Sequence, residues 1–205
     1  MKQRAPVRKK GRKAAPRGPG RPRSERARSA ILRSTLRLLQ SGGFPNLSIE
    51  AIAADANVSK ATVYRWWSSK AVLVADAFSA SSELELRFPD TGSVKRDITL
   101  QIKRLIRIFR SPRGKIVAAL LGAGQFDPEL ILAFRERFLW PRRRQAYKTL
   151  ERGIERGEIR AGTDLDLALD SLYGPIYMRF LIGHDDLSES FVDELCRIVL
   201  RGLRP

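Results

Sequence analysis

Cysteine and histidine are nearly absent from this sequence. Its 205 residues include one Cys and one His, which excludes an internal disulfide framework and any site with several thiolate or imidazole ligands. No apolar run reaches about eighteen residues, the length that suggests a membrane-spanning helix. The basic first residues lead into Pro and Gly, without an apolar signal segment. We therefore expect a cytoplasmic protein that has no membrane partner.

Acidic residues are scarce relative to basic ones, and the imbalance is concentrated at one end. Lys and Arg number 39 against 22 Asp and Glu, which gives a formal net charge of +17. Residues 1–23 contain ten of these bases and no acid. Because this arm has almost nothing to bury, we predict that it is disordered in isolation. Basic arms commonly bind nucleic acid, although a tail that only aids solubility has the same composition.

The end of the arm contains a short candidate DNA-binding motif. The segment Gly20-Arg21-Pro22-Arg23 resembles the core of an AT-hook, in which an extended segment places arginine in a narrow minor groove. It stands just before the first predicted helix, where homeodomain-type arms leave their domain to reach the DNA. Arg21 and Arg23 are therefore candidate DNA-binding residues. The alternative is an arm that adds only charge.

Short helices separated by tight turns are predicted for residues 24–78. Residues that can be buried recur at helical spacing from Ile31 to Leu39, and a Gly-Gly pair then ends the first helix. Ser48 and Ser59 are candidate N-caps for two further helices, joined by a turn of about four residues. Asn57 stands in this turn where a positive φ is needed, which Asn tolerates best after Gly. Such a helix-turn-helix places its second helix in the DNA major groove.

A set of residues between Ile31 and Phe78 then points to a family. These residues are Gly43, Ser48, Ile52-Ala53, Val58-Ser59, Thr62-Val63-Tyr64 and Ser69-Lys70. With this spacing, the stretch resembles the DNA-binding domain of the TetR family of bacterial transcriptional regulators. It departs from the family at Asn57, where Gly is usual, and at Trp66, where a polar or basic residue is less unusual. The resemblance implies a two-fold homodimer that binds double-stranded DNA at a palindromic operator.

The second helix of the motif and its flanks supply the candidate DNA-binding residues. They are Ser48, Ser59, Lys60, Ala61, Thr62, Tyr64, Arg65, Trp66 and Lys70. First-turn side chains of a docked recognition helix reach base edges, and Ala61 or the Thr62 methyl can contact a thymine methyl. Surface positions without contacts are the alternative. We expect Val63 and Trp67, one turn apart, to be core residues.

Phosphate contacts are expected at the edges of the same helix. Ser59 is an N-cap whose position also leaves backbone amides available to a phosphate. The resemblance implies phosphate contacts for Tyr64 and Lys70, while the alternative for Tyr64 is a place at the edge of the core. Trp66 packs either on sugar and phosphate or on the fourth helix.

Residues 79–205 have helical spacing and few strand signals. Ser111-Pro112, Asp127-Pro128 and Asp164 are predicted helix starts, and Pro141 is expected to kink a longer helix. We predict an all-α protein: the arm 1–23, a three-helix helix-turn-helix domain over 24–78, and a helical-bundle domain over 79–205 for effector binding and dimerisation. The stretch from Asp127 to Arg204 also resembles C-terminal domains found with this DNA-binding head, in FRERFLWPRRR, LERGIERGEI, LYGPIYMRFLIGH and FVDELCRIVLRGL.

The last two predicted helices have apolar faces wider than one small core covers. The resemblance implies that they form a four-helix interface between two subunits, for which the candidates are Leu172, Ile176, Phe180, Leu195 and Val199. Candidates for an effector pocket are Phe109, Leu120, Phe126, Phe134, Phe138, Tyr147, Tyr173 and Tyr177, with core packing as the alternative for each. The expected effector is an apolar or aromatic small molecule, with or without a negative charge. No metal and no cofactor are expected.

These observations predict a sequence-specific transcriptional regulator, a repressor that a small apolar ligand releases from its operator. The alternative is an architectural DNA-binding protein of low specificity, for which the basic arm would suffice. Catalysis is not expected, because the one candidate constellation, His184-Asp185-Asp186, lies in a glycine-bounded loop where capping or solvated roles are commoner.

Overall fold

The computed structural model describes residues 24–205; the basic arm, with Arg21 and Arg23, lies outside the described residues. Between residues 24 and 205 the chain forms no β-strand, so the all-α prediction is confirmed. None of its helices there is long and apolar enough to span a bilayer. The helices are α1 (Glu25–Gly42), α2 (Ile49–Asp55), α3 (Lys60–Tyr64), α4 (Lys70–Ser82), α5 (Val94–Phe109), α6 (Pro112–Gly124), α7 (Pro128–Phe134), α8 (Trp140–Glu155), α9 (Leu165–Ile182) and α10 (Glu189–Gly202).

Serine and aspartate caps set most of the helix starts. Their side-chain oxygens accept a backbone N–H of the first turn, which satisfies a donor that has no partner inside the helix. The capping residues are Ser24, Ser48, Ser59, Ser69, Ser111, Asp127, Asp164 and Ser188. The predicted starts after Ser48, Ser59, Ser111, Asp127 and Asp164 are therefore confirmed.

Helix α4 joins the two parts of the chain. It packs on α1, on α7 and on the segment that follows α7. Leu73, Val74, Ala75, Ala77 and Phe78 are fully buried along it. Residues 24–78, the predicted helix-turn-helix domain, are called the head below. Because α4 continues through residue 78 to Ser82, it belongs to both this N-terminal head and the C-terminal bundle.

Pro141 directly follows an irregular stretch of helix. The segment Arg135–Leu139, between α7 and α8, is π-helical, and Pro141 lies in the first turn of α8. Proline has no N–H to donate to the preceding turn, and a wider turn accommodates the missing bond. The predicted kink thus takes the form of a π-helical segment. Phe138, in this segment, packs against Phe78 of α4 with ring centroids 4.8 Å apart.

Candidate nucleic-acid interface and effector cavity

Helix α3 has one anchored side and one exposed side. Val63 is fully buried and Trp67 is 2% exposed, as expected for core residues. Lys60, Ala61 and Tyr64 are exposed on the other side. Because the core contacts fix the position of the helix, its exposed side chains have fixed positions from which they can contact a partner.

The turn before α3 has the predicted backbone conformation. Asn57 has φ 52°, which is the only positive φ of a non-glycine residue within 24–205. The chain reverses there, and the N–H of Val58 donates to the carbonyl oxygen of Ala53 at 2.9 Å. A residue that tolerates this conformation is what sets the angle between α2 and α3.

Lys60 is held by α2 in the absence of DNA. Its Nζ lies 3.0 Å from Oε1 of Glu50. This hydrogen bond raises the pKa of Lys60 and lowers the pKa of Glu50. Both side chains are exposed, and ion pairs of this kind contribute little to stability. Lys60 can therefore exchange Glu50 for a group on DNA.

The side chains of Ser59 and Ser48 form hydrogen bonds within their own helices. Ser59 Oγ accepts the N–H of Thr62 at 3.2 Å and also lies 3.0 Å from Thr62 Oγ1. The Thr62 hydroxyl is thus hydrogen-bonded to the N-cap of its own helix. Ser48 is half-buried, and its Oγ accepts the N–H of Ala51 at 3.1 Å.

Tyr64 and Lys70, the two expected phosphate contacts, differ in their surroundings. Tyr64 is 54% exposed, so it does not lie at the edge of the core. Lys70 is half-buried, and its Nζ donates to the carbonyl oxygens of Leu47 at 3.1 Å and Phe44 at 3.4 Å. Lys70 thus fastens the loop between α1 and α2. An ammonium has three N–H donors, so one remains for a phosphate.

Arg65 and Trp66, the two remaining candidates next to α3, differ in their exposure to solvent. Arg65 is exposed just after α3. Trp66 is half-buried against the core, its ring 6.1 Å from that of Trp67 and 5.8 Å from the guanidinium carbon of Arg28. These contacts are with Trp67 and with Arg28 of α1, so contact of Trp66 with DNA or with the fourth helix stays a prediction.

Comparison with known proteins agrees with this geometry. Residues 31–77 match the family model of bacterial regulatory proteins of the tetR family, and residues 88–199 match that of the tetracyclin repressor-like C-terminal domain. The chain belongs to the TetR family of transcriptional regulators. It is 41% identical to the HTH-type transcriptional regulator YdeS of Bacillus subtilis, over 90% of this chain and 93% of that protein.

Two further TetR-family relatives cover most of the chain. The DNA-binding transcriptional repressor TetR of Mycobacteroides abscessus is 30% identical, over 87% of this chain and 94% of its own length. The TetR family transcription regulator SCO0332 is 35% identical in sequence. Its crystal structure superposes on this chain with a TM-score of 0.77, over 87% of this chain and 99% of the SCO0332 chain.

The C-terminal domain of this TetR-family chain contains two adjoining cavities. The inner one has a volume of about 50 Å³, and the outer, more open one about 320 Å³. They share the lining residues Leu139, Arg143, Tyr173 and Tyr177. Four of the predicted pocket residues are thereby brought together, since Phe138 lines the inner cavity and Phe134 the outer one.

The other four pocket candidates line neither cavity, which corrects the prediction. The ring of Phe109 stacks on that of Phe180 inside the bundle, with the ring centroids 4.0 Å apart, and Leu120 is a core residue. The hydroxyl of Tyr147 donates to Asp166 on the surface of α9. Phe126 is 92% exposed in the turn before α7. The physical reason is that aromatic content does not tell a cavity wall from a packed core or an exposed turn.

Sequence reasoning missed two arginines that line the inner cavity, Arg142 and Arg143. A signal for the first of them was present. Phe138, Arg142 and Ala146 recur every four residues, so helical periodicity places Arg142 on the buried face of α8. A cation on a buried helix face is unusual enough to indicate a specific role.

The predicted dimer residues need a partial correction. Leu172 and Ile176 are fully buried inside the protomer, where a partner subunit cannot reach them. Phe180, Leu195 and Val199 are half-buried. The large apolar side chains that face solvent on α9 and α10 are instead Leu167, Met178, Leu181, Ile182 and Ile198.

In the loop after α9, Asp185 and the backbone of Asp186 contact Arg179. Asp185 pairs with Arg179 at 2.9 Å, and the carbonyl oxygen of Asp186 accepts from the same guanidinium at 2.7 Å. Across residues 24–205 no group of three or more His, Cys, Asp or Glu side chains is placed to hold a metal ion. Burial raises the pKa of the Cys196 thiol, the single cysteine.

Proposed function

We propose that the protein is a repressor that binds a palindromic operator as a homodimer and is released by a small apolar ligand. The observation that carries the proposal is the two-sided α3, with Lys60, Ala61 and Tyr64 exposed over a buried Val63. Side chains at those positions of a docked recognition helix reach base edges in the major groove. The protein would act in the cytoplasm, with the DNA that it binds.

The exposed apolar surface of α9 supports the dimer. Leu167, Met178 and Leu181 lie on one stripe of the helix, and the small residues Ser171 and Gly174 lie between them on the same stripe. Small residues allow the backbone of another helix to approach closely. Monomers rarely expose a continuous apolar stripe of this kind, and a two-fold pairing of such stripes buries both copies at once. A two-fold dimer presents two α3 helices to a palindrome.

The contacts of α4 support release by a ligand. Arg142, which lines the inner cavity, donates to Ser82 Oγ of α4 at 3.1 Å. Arg137, in the π-helical segment whose neighbours Phe138 and Leu139 line the cavities, lies 3.8 Å from Asp76 of α4. A ligand that changes the packing there can shift α4 and with it the head. It acts only if it binds better to the arrangement in which the two α3 helices no longer fit the operator.

Selection of bound sequences from random DNA with the full-length protein tests the proposal. A short palindromic consensus that is preferred by a factor of about 10³ or more supports a regulator. Binding with little sequence preference would instead indicate the architectural alternative. The release step is tested on the selected site, by measuring DNA affinity with and without compounds that raise the melting temperature of the protein.

A further inference from the structure

Arg142 is a cation at the wall of the inner cavity, and no carboxylate of residues 24–205 lies within ion-pair distance of it. Its Nη1 donates to the carbonyl oxygen of Phe138 at 3.3 Å, and its Nη2 donates to Ser82 Oγ at 3.1 Å. Its Nε is buried and has no acceptor among the residues that the structure describes. The guanidinium carbon lies 4.0 Å from the centre of the Phe138 ring. Arg142 is half-buried, and a cation that is partly withdrawn from water normally has an ionic partner, because its desolvation is otherwise uncompensated.

The neighbouring arginine shows the usual arrangement. Arg143 donates to Asp170 Oδ1 and to Asp166 Oδ1, each at 2.5 Å. These two carboxylates satisfy its charge on the side of α9. Nothing comparable faces Arg142: burial lowers its pKa to about 10, and Tyr177 and Glu83 oppose this only partly. Arg142 is still a cation at neutral pH, with its charge unpaired.

The rest of the inner cavity can complete an anion site. Tyr177 lines it, and burial raises the pKa of this residue to about 12, so its hydroxyl remains a neutral donor. Tyr173 also lines it and donates to Gln101 Oε1 at 2.5 Å. The other walls, such as Leu105 and Leu169, are apolar, which strengthens an ionic interaction by excluding water.

We propose that the inner cavity binds the carboxylate of the effector through Arg142, and that the apolar or aromatic body of the same molecule occupies the outer cavity. This inference rests on the proposed function and specifies the chemical class of its ligand. A carboxylate matches the paired N–H donors of a guanidinium. It would satisfy the buried Nε or take the place of an existing acceptor.

The volumes fit this division of the ligand. The inner cavity of about 50 Å³ is several times the roughly 10–15 Å³ that one buried water needs, so it has room for a carboxylate. The outer cavity of about 320 Å³ is large enough for one or two aromatic rings or a short alkyl chain and is lined by Leu121, Ile131 and Phe134. A molecule that spans both would contact Leu139 and Tyr177, which line both cavities.

The site also has a direct connection to the DNA-binding head. The Ser82 hydroxyl that accepts from Arg142 is on the last turn of α4. A carboxylate competes with this hydroxyl for the guanidinium, so binding would weaken the contact between α8 and α4. The charged end of the ligand is therefore the part that affects DNA binding.

The test compares acids with their uncharged amides. Calorimetric titration of the full-length protein at pH 7 uses benzoate, 2-naphthoate, indole-3-acetate and decanoate, each against its primary amide. At least one acid should bind ten-fold or more tightly than its amide. The ratio should fall to about one in Arg142→Met and be largely kept in Arg142→Lys. Arg144→Met is the matched control, because Arg144 is exposed on the same helix and should keep the ratio of the wild type.

Three results would overturn the inference. They are equal affinities of the wild type for every acid and its amide, an unchanged ratio in Arg142→Met, and no binding of any acid at millimolar concentration. The wild-type comparison decides even if Arg142→Met does not fold, which circular dichroism would reveal. DNA release is measured separately on the selected operator. If amides release DNA as well as acids do, the proposed function stands and the carboxylate site is wrong; if acids bind through Arg142 without affecting DNA, the site stands and ligand release is wrong.

Discussion

The indole Nε1 of Trp67 donates a hydrogen bond of 2.9 Å to Oδ2 of Asp76. Trp67 follows the recognition helix α3, and Asp76 is in the middle of α4. The same carboxylate lies 3.9 Å from Arg28 of α1 and 3.8 Å from Arg137 of the π-helical segment. One side chain thus connects a residue just after α3 with the π-helical segment that borders the two cavities.

Asp76→Ala should destabilise the protein, because it leaves the N–H of the buried Trp67 without its acceptor. The cost of such a loss is about 1–3 kcal/mol in the free energy of unfolding, measured by urea denaturation. Asp76→Asn keeps an acceptor and removes only the charge, so it should cost less. Equal stability of Asp76→Ala and the wild type would show that the hydrogen bond does not hold the head together.

Asn57 should be replaceable by Gly but not by Val. Its φ of 52° costs an ordinary L-residue about 1–2 kcal/mol, and a β-branched residue is among the least tolerant. Asn57→Val should lower the free energy of unfolding by about that amount, whereas Asn57→Gly should change it by less than about 0.5 kcal/mol. Chemical denaturation of the two variants side by side provides the measurement. Similar values for both would mean that the turn has another conformation in solution.

Substitutions on α3 should separate base recognition from phosphate binding. Lys60→Ala and Thr62→Ala should change the sequence that random-DNA selection recovers. Tyr64→Phe should weaken binding to all sequences about equally, because a phosphate contact carries no sequence information. An unchanged consensus in both first-turn variants, together with a changed one in Tyr64→Phe, would reverse these roles.

Lys70→Ala tests whether this side chain has a second role besides fastening the α1–α2 loop. If its ammonium also contacts a phosphate, the slope of log affinity against log salt concentration should fall by about one. The consensus sequence should not change. A loss of thermal stability with no change in the salt slope would limit Lys70 to the loop contacts.

Replacing exposed apolar residues of α9 by charged ones should produce folded monomers. Met178→Asp and Ile182→Asp would each place an unpaired charge in a dry interface, which opposes association strongly. Sedimentation velocity should show the change, and circular dichroism should show native helix content. Leu84→Asp is the control, since Leu84 is 78% exposed but lies outside α9 and α10. A wild-type monomer at micromolar concentration, or a stable Met178→Asp dimer, would place the interface elsewhere.

The N-terminal head could be predicted in detail from its sequence. The caps at Ser48 and Ser59, the positive φ of Asn57 and the burial of Val63 all follow from local rules: a side-chain oxygen near open amides, a turn that demands a tolerant residue, and a helical repeat of apolar residues. Such rules involve residues only a few positions apart, so the amino-acid order is sufficient to apply them.

The cavities proposed for the effector and the surface proposed for the dimer could be located only in the tertiary structure. Helix α9 has apolar residues on almost all sides, so its periodicity does not say which side faces its own bundle. Packing against α8, α10 and α5 buries Leu172 and Ile176 and leaves Met178 and Ile182 outside. Arg142 was missed, although its spacing from Phe138 and Ala146 favours the inner face of α8. Only the fold decided that it meets Ser82 of α4, sixty residues away, and that no carboxylate of residues 24–205 lies at ion-pair distance from it. Contacts between helices depend on how the whole bundle closes, which no local pattern encodes.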